Sequence, residues 1–252
     1  MKYEFKYIVP VSKLDSLREA IQRYVELDPF AANSAGNEYT VRSIYFDTSR
    51  FDYYWEKVDG YRIRKKVRIR GYNHPQGNEM VFLEIKRKLK EPIEKVREML
   101  PFDTMVRLMA GDDPGLSGLE AAETLNGAGK FLFHVYRRNL KPVVLVIYER
   151  EAYYDRFMKQ VRITIDKNLR SVAYPEIKDL NREDNAVAAL KDRFIMEVKF
   201  KGHFPGWLRP ITGHFDLVRQ SASKFVFCIN AHHLADATWK PVASRLMDMK
   251  GV

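Results

Sequence analysis

Only one cysteine, Cys228, occurs among the 252 residues. No internal disulfide is possible, so a disulfide-stapled fold is excluded and a reducing compartment fits. Cys228 stands in the apolar run Phe225, Val226, Phe227 and Ile229, where it reads as a buried hydrophobe. No stretch approaches the ~18 apolar residues of a membrane-spanning helix. The opening MKYEFKYIVP carries charges where a secretory signal needs an apolar core. A cytoplasmic protein is expected, with any membrane partner a separate chain. No G-x-x-x-x-G-K-[ST] phosphate loop is present, which excludes an ordinary P-loop ATPase. The histidines His74, His134, His203, His214, His232 and His233 show no metal-ligand spacing. His232 and His233 read as a helix-surface pair, and His203 and His214 flank the loop GHFPGWLRP. Repeats, low-complexity tracts and Pro/Gly-rich linkers are also missing. A single domain over residues 1–252 is therefore expected, with a C-terminal helical segment from about 221.

What is present suits a packed, basic protein. Hydrophobic residues make up 46% and aromatics 13%, enough for a core, which argues against global disorder. Lysine and arginine number 43 against 33 acidic residues, a formal charge of +10. That excess points to an anionic partner: nucleic acid, a membrane surface or a phosphorylated small molecule.

Short segments alternating at period two dominate the chain. Residues 2–9, 39–47, 61–72, 79–89, 142–154, 160–167 and 193–201 read as strands. GYNHPQGN, residues 71–78, supplies hairpin-turn chemistry between two of them. A helix is expected after Ser12, with Leu14, Leu17, Ile21, Tyr24 and Val25 on one face and Asp28-Pro29 ending it. Residues 103–111 and 117–126 read as two short helices around the break DDPG. The tail from Ser221 to about Met247 reads as partly helical, interrupted by Pro241. Strands outnumber helices, so an antiparallel α+β fold or barrel is expected.

The strands share a charge pattern. Arg68 and Arg70 alternate with Val67 and Ile69, and Arg62, Arg64 and Lys66 extend the same row. Glu84 and Lys86 oppose Leu83 and Ile85; Tyr148 and Arg150 oppose Ile147. Arg162, Thr164 and Asp166 oppose Val161, Ile163 and Ile165. Glu197, Lys199 and Lys201 oppose Met196, Val198 and Phe200, while Glu4 and Lys6 oppose Tyr3, Phe5 and Tyr7. One such strand is ordinary amphipathicity, since antiparallel sheets often show a polar face to water. Six with lysine or arginine at matched positions, flanked by tyrosines and tryptophans, are not. Like charges facing across strands repel by a few tenths of a kcal/mol per pair unless an anion lies between them. Lys6, Arg68, Arg70, Lys86, Arg150, Arg162, Lys199 and Lys224 give eight positive charges against four from Glu4, Glu84, Asp166 and Glu197. Arginine grips phosphate oxygens in pairs, and lysine acts as a point charge. A hard cation such as Mg²⁺ or Mn²⁺ needs only one or two carboxylates beside phosphate oxygens.

The motifs YEFKY, SIYFDT (43–48), VRIRGY (67–72), FLEIKRK (82–88), YER (148–150), VRITID (161–166), MEVKFK (196–201) and SASKF (221–225) occur in this order. Together they resemble the VTC (vacuolar transporter chaperone) domain, a polyphosphate polymerase family of the CYTH-like triphosphate tunnel metalloenzymes. The resemblance spans residue 3 to about 227. It implies an α+β fold with a closed antiparallel eight-stranded β-barrel, the triphosphate tunnel, and helices packed outside. It also implies metal-dependent transfer of the γ-phosphate of ATP to a growing polyphosphate chain, with Mn²⁺ or Mg²⁺ as cofactor. The partners would be ATP and polyphosphate or pyrophosphate, with no nucleic acid.

By position, Glu4 and Lys6 match the family's N-terminal E-x-K element, Arg68 and Arg70 its R-x-R strand, and Lys86 its E-x-K strand. Arg150 and Arg162 match the later arginine strands. Glu197 falls at the metal ligand, with Lys199 beside it and Glu84 as a second candidate. Ser223 and Lys224 match the terminal S-K pair. Lys66 joins the substrate-binding set, and either Lys95 or Arg97 supplies a further basic residue. Position 2 is Lys2, so the first Glu of the full CYTH E-x-E-x-K signature is missing. Three rival readings differ in outcome. A CYTH-type triphosphate hydrolase releases phosphate without chain growth, with Glu4 or Asp166 handling water. A polyphosphate-binding module turns nothing over. A nucleic-acid binder would show steep salt dependence.

Overall fold

The computed structural model describes residues 2–73, 79–88, 93–112, 126–157 and 159–238. In chain order its strands are β1 (Lys2–Pro10), β2 (Val25–Leu27), β3 (Tyr39–Asp47), β4 (Arg64–Tyr72) and β5 (Met80–Lys88). They continue with β6 (Ile93–Pro101), β7 (Lys141–Asp155), β8 (Arg162–Ala173), β9 (Val187–Ala188) and β10 (Arg193–Lys201). The described helices are α1 (Leu14–Gln22), α2 (Pro29–Ala32), α3 (Asp52–Val58), α4 (Phe102–Ala110), α5 (Asn126–Arg137), α6 (Leu208–His214) and α7 (Lys224–Ala231).

All seven alternating segments contain strands, though the third begins at Arg64, which leaves Arg62 outside β4, and position 89 of the fourth lies outside the described residues. β4 and β5 pair antiparallel as expected, from Arg64 opposite Lys88 to Arg70 opposite Phe82. The proposed turn at 71–78 lies outside the described residues from position 74 on. So do positions 117–125 of the second short helix, most of the DDPG break, and the tail with Pro241 and Met247. The helix at 103–111 is α4, closed by Gly111, whose φ of 87° is the left-handed cap that glycine adopts without strain. The first helix is shorter than expected. It stops at Gln22 because Val25–Leu27 pairs with Tyr153–Asp155 of β7, and a β-branched residue packs better there than in a helix end. β6 went unanticipated because charged residues interrupt its apolar alternation.

The strands form one antiparallel α+β sheet of ten, in the order β1-β10-β8-β7-β3-β4-β5-β6, with β2 on β7 and β9 on β8. The expected closed eight-stranded barrel, and with it the tunnel, is therefore corrected: β1 and β6 are the two ends of the path and do not pair. The free edge of β1 is taken instead by the segment before α7. Tyr7 bridges Arg219, and Gln220 N–H donates to the Lys6 carbonyl at 2.9 Å. Backbone groups satisfied in this way need no eighth strand to close against.

The chain forms two compact units. Unit 1 comprises Met1–Val41, Ile147–Arg170 and Ala188–Lys224. Its core is the apolar face of the strands: Tyr7 and Val9 of β1, Ile163 and Ile165 of β8, and Phe194, Met196 and Val198 of β10. Leu14, Leu17 and Ile21 of α1, spaced three and four apart, and Leu208 and Ile211 of α6 complete it. Each such side chain contributes about 1.5–3 kcal/mol on burial. Because these residues take one face, the alternate residues must share the other.

Unit 2 comprises Arg42–Val146, Ser171–Val187 and Phe225–Val252. Val67, Ile69 and Leu83 are buried on one face of β4 and β5, with Met105 and Leu108 of α4 and Phe131 of α5 also in the core. Phe131 meets Phe46 edge-on at 5.7 Å. Cys228 is buried, as expected. Asp47, the acid of SIYFDT, organises the start of α3. Its carboxylate accepts the N–H of Thr48 at 2.8 Å and those of Tyr53 and Tyr54 at 2.9 Å. Burial pushes its carboxyl up to about 7 against these three bonds. Asp47→Ala would orphan the donors, and a loss of about 2–3 kcal/mol is expected in urea unfolding. Asp47→Asn keeps an acceptor and should recover most of it.

Candidate functional site

The candidate residues fall into two clusters, one in each unit. In unit 1 the register of β1, β10 and β8 sets Glu4 opposite Lys199 and Lys199 opposite Arg162. One row on, Lys6 faces Glu197, and Glu197 faces Thr164. Acid therefore faces base between β1 and β10, whereas Lys199 and Arg162 are two bases facing each other between β10 and β8. Lys6 Nζ lies 3.0 Å from Glu4 and 3.2 Å from Glu197. Lys199 Nζ lies 2.6 Å from Glu197 and 3.8 Å from Glu4. Burial alone would raise the Glu197 carboxyl, but Lys6, Lys199 and Lys224 outweigh it and hold the group well below the usual range. Lys6 is the mirror case: burial disfavours its charge, yet Glu197 and Glu4 raise it above the ordinary value.

The second focus of unit 1 is Asp166, 1% exposed. Arg150 Nε and Nη2 donate to its two oxygens at 2.6 and 2.8 Å, the bidentate geometry of an arginine fork. Lys224 Nζ approaches Oδ2 at 2.5 Å. Both cations also lie over the Tyr148 ring, at 5.2 and 4.7 Å from its centroid. Burial opposes ionisation of Asp166, but Arg150 and Lys224 keep it ionised and lower its carboxyl. Ser223, beside Lys224, is buried.

Arg162 donates through Nη2 to Asp28 at 2.9 Å and lies over Tyr154. Its Nε, and Thr164 Oγ1 two residues on, are buried with no hydrogen-bond partner among the described residues. An unsatisfied buried polar atom costs about 1–3 kcal/mol, so the pair marks a place where an acceptor is owed.

In unit 2, three rows cross β4, β5 and β6. Lys66, Lys86 and Lys95 stand opposite one another in the first; Arg68, Glu84 and Arg97 in the second; Arg70, Phe82 and Met99 in the third. Lys95 and Arg97, offered as alternatives by the sequence, share this face, and both are exposed. Arg68 Nε donates to Glu84 at 2.6 Å and its Nη1 to the Tyr45 hydroxyl at 2.8 Å. Arg97 Nε lies 3.5 Å from Glu84 and its guanidinium sits over Phe82. Arg70 Nε donates to Ser43 at 3.1 Å and stands 3.9 Å from Glu84.

One carboxylate thus serves several cations, and crowding of like charge displaces the groups around it. Burial would raise Glu84, but Arg68, Arg70 and Lys86 bring it down to about 2. Burial and then Arg68 push Lys86 down to about 8, with Glu84 opposing. Burial would raise Tyr45 too, yet Arg68, Lys66 and Arg70 lower its hydroxyl to about 7.

Two contributors escaped sequence reasoning. Tyr45 alternates correctly within SIYFDT, but only pairing of distant strands brings its hydroxyl to Arg68. Asp28 read as a helix terminator. It is the N-cap of α2, accepting the Ala31 N–H at 2.9 Å with Pro29 at the first helical position, and its other oxygen holds Arg162. The Asp-Pro pair carried the capping signal but nothing of the ion pair.

No group of three or more histidine, cysteine, aspartate or glutamate residues among the described residues could hold a metal ion. The donor set suits a cation that arrives with phosphate oxygens and needs one or two carboxylates, which Glu197 and Glu4 supply on adjacent strands. Glu84 is the second candidate; Arg68 and Arg97 engage its oxygens as Lys6 and Lys199 engage those of Glu197. No helix among the described residues is long and apolar enough to cross a membrane.

Comparison with curated proteins gives no match. Among solved structures, the PH1819 protein from Pyrococcus horikoshii OT3 is 16% identical over 99% of this chain and 100% of that one, with a TM-score of 0.39. A family model of the VTC domain matches residues 1–233, which takes in every strand and both charged clusters. The chain belongs to the VTC domain family.

Proposed function

We propose that this VTC domain is a polyphosphate polymerase that transfers the γ-phosphate of ATP to the end of a polyphosphate chain. The family is associated with polyphosphate synthesis. The observation that carries the reading is the row Lys66, Lys86 and Lys95, three like charges directly opposite one another across β4, β5 and β6. Such a row is unfavourable in the free protein and favourable once phosphates lie along it. One row away Arg97 is half exposed, while Arg68 is buried against Glu84 and Tyr45 and adds its charge from there.

In unit 1, Lys6, Lys199 and Arg162 offer charge, and Arg162 Nε and Thr164 Oγ1 are donors awaiting an oxygen. Phosphoryl transfer asks mainly for alignment and for stabilisation of the charge on the transferred group's oxygens. The acceptor is a terminal phosphate already ionised at neutral pH, so no side chain need take a proton. Asp166, gripped by Arg150 and Lys224, is a poor base for water, which leaves Glu4 as the candidate of the hydrolase reading. Glu197, with Glu4, is the candidate holder of Mn²⁺ or Mg²⁺, which when bound would neutralise phosphate charge.

Incubation with ATP and Mn²⁺, followed by a gel that resolves chain lengths, tests the reading. Ladders of growing polymer are expected, absent in Glu197→Ala. Phosphate release without polymer would replace the reading with hydrolysis; neither product would leave a polyanion-binding module.

A further inference from the structure

The back of β4–β5–β6, the face away from the Lys66 row, carries a second basic feature within unit 2. A cavity of about 460 Å³ lies between the sheet and α5. Lys65 and Arg87 rise from the strands, directly opposite each other in the register. Lys130 and Arg137 come from α5, seven residues apart and hence on one helix face, and Arg138 follows. Ile85 and Val96 give an apolar floor, and Phe133 an exposed aromatic wall with the Arg137 guanidinium over its ring at 5.6 Å.

Among the described residues acidic compensation is sparse. Glu56 accepts the backbone N–H of Lys65 at 2.9 Å, and Glu98 of β6 lies against Gly127 in the first turn of α5. His134 lines the cavity and hydrogen-bonds the Tyr53 hydroxyl at 2.7 Å. Burial and the surrounding Lys65, Arg138, Arg87 and Arg137 push its imidazole down to about 4, so it stays neutral and adds no charge. Five cations around an apolar floor fit an anion with a body better than they fit water. The volume lies in the range of small-molecule sites.

We propose that this cavity is a second anion-binding site, for a small phosphorylated molecule, separate from the face assigned to phosphoryl transfer. Lys65, Arg87, Lys130, Arg137 and Arg138 take the phosphoryl oxygens, and Phe133 packs against whatever body the ligand carries. Two sources share this chemistry, a nucleotide or a short inorganic polyphosphate, and Phe133 separates them.

Full-length protein carrying Lys86→Glu, which weakens the opposite face, is titrated calorimetrically with ADP and with tripolyphosphate. One equivalent is expected to remain, and to weaken by about 10-fold or more when Lys130→Glu and Arg137→Glu are added. Both positions are exposed, so the fold should survive, which circular dichroism checks. If Phe133→Ala weakens ADP but not tripolyphosphate, the ligand is a nucleotide; if it weakens neither while the charge reversals act, the ligand is the inorganic chain. Loss of all binding with Lys86→Glu alone, or binding indifferent to Lys130 and Arg137, overturns the proposal. Polymer ladders in the Lys130→Glu/Arg137→Glu protein with native Lys86 are expected to persist, so this site and the polymerase reading fail independently.

Discussion

Asp166→Ala is expected to destabilise the protein by about 3–5 kcal/mol, the cost of leaving buried charge uncompensated. The carboxylate is almost inaccessible and accepts a bidentate pair from Arg150 and a third contact from Lys224. Removing it leaves two cations facing each other in a site with little water, where their repulsion is poorly screened. Urea unfolding at pH 7 measures the loss as a fall in midpoint at constant slope. A change under about 1 kcal/mol would mean that the cluster is solvated in solution. Replacing Asp166, Arg150 and Lys224 together by leucine and methionine should recover much of the stability, because no charge is then stranded.

The pH dependence has a definite sign. Asp166 and Glu197 have carboxyls lowered by their cations, and Glu84 lies at about 2. A carboxylate lowered on folding contributes stability that is present above its unfolded value, near 4, and lost as pH falls through the folded value. Wild-type protein should therefore lose this contribution progressively as pH falls from about 4–5, the loss being complete only below the folded values. Asp166→Ala should flatten that part of the curve.

Lys86→Glu is expected to cut polyphosphate ladder formation by about 30-fold or more, equivalent to 2 kcal/mol or more of lost charge pairing. The substitution places a carboxylate between Lys66 and Lys95 and beside Arg68, so it relieves repulsion in the free protein. The thermal midpoint should hold or rise while synthesis fails, an outcome that misfolding cannot imitate. Full activity in Lys86→Glu would remove the lysine row from the mechanism. Lys86→Arg, which keeps the charge, should retain most of the activity.

The same lysine predicts a proton signature. Its folded value of about 8 lies below the ordinary 10.5, so between these limits the unfolded chain binds more protons and stability rises with pH. Lys86→Met should lose that rise. An anion on the row favours the charged amine, so tripolyphosphate binding near pH 8.5 should take up protons, read as a buffer-dependent heat. Tyr45, held to about 7, adds to the uptake because a nearby anion favours its neutral hydroxyl.

The strands and their two faces were legible in the sequence because a strand's side-chain period is two, independent of its neighbours. Val67 and Ile69 alternate with Arg68 and Arg70 whatever sits beside them. The order of motifs identified the VTC family, since eight weak patterns in sequence are specific together. What lay beyond reach was every property that depends on which strand pairs with which. The sheet's openness is one, set by Tyr7 and Lys6 bonding Arg219 and Gln220 in place of another strand. The facing of Lys66, Lys86 and Lys95 is another, since register comes from the hairpin and not from composition. The partners of Arg162 and Arg68, namely Asp28 and Tyr45, lie 134 and 23 residues away. Local propensity holds no information over such separations; packing of the apolar faces decided them.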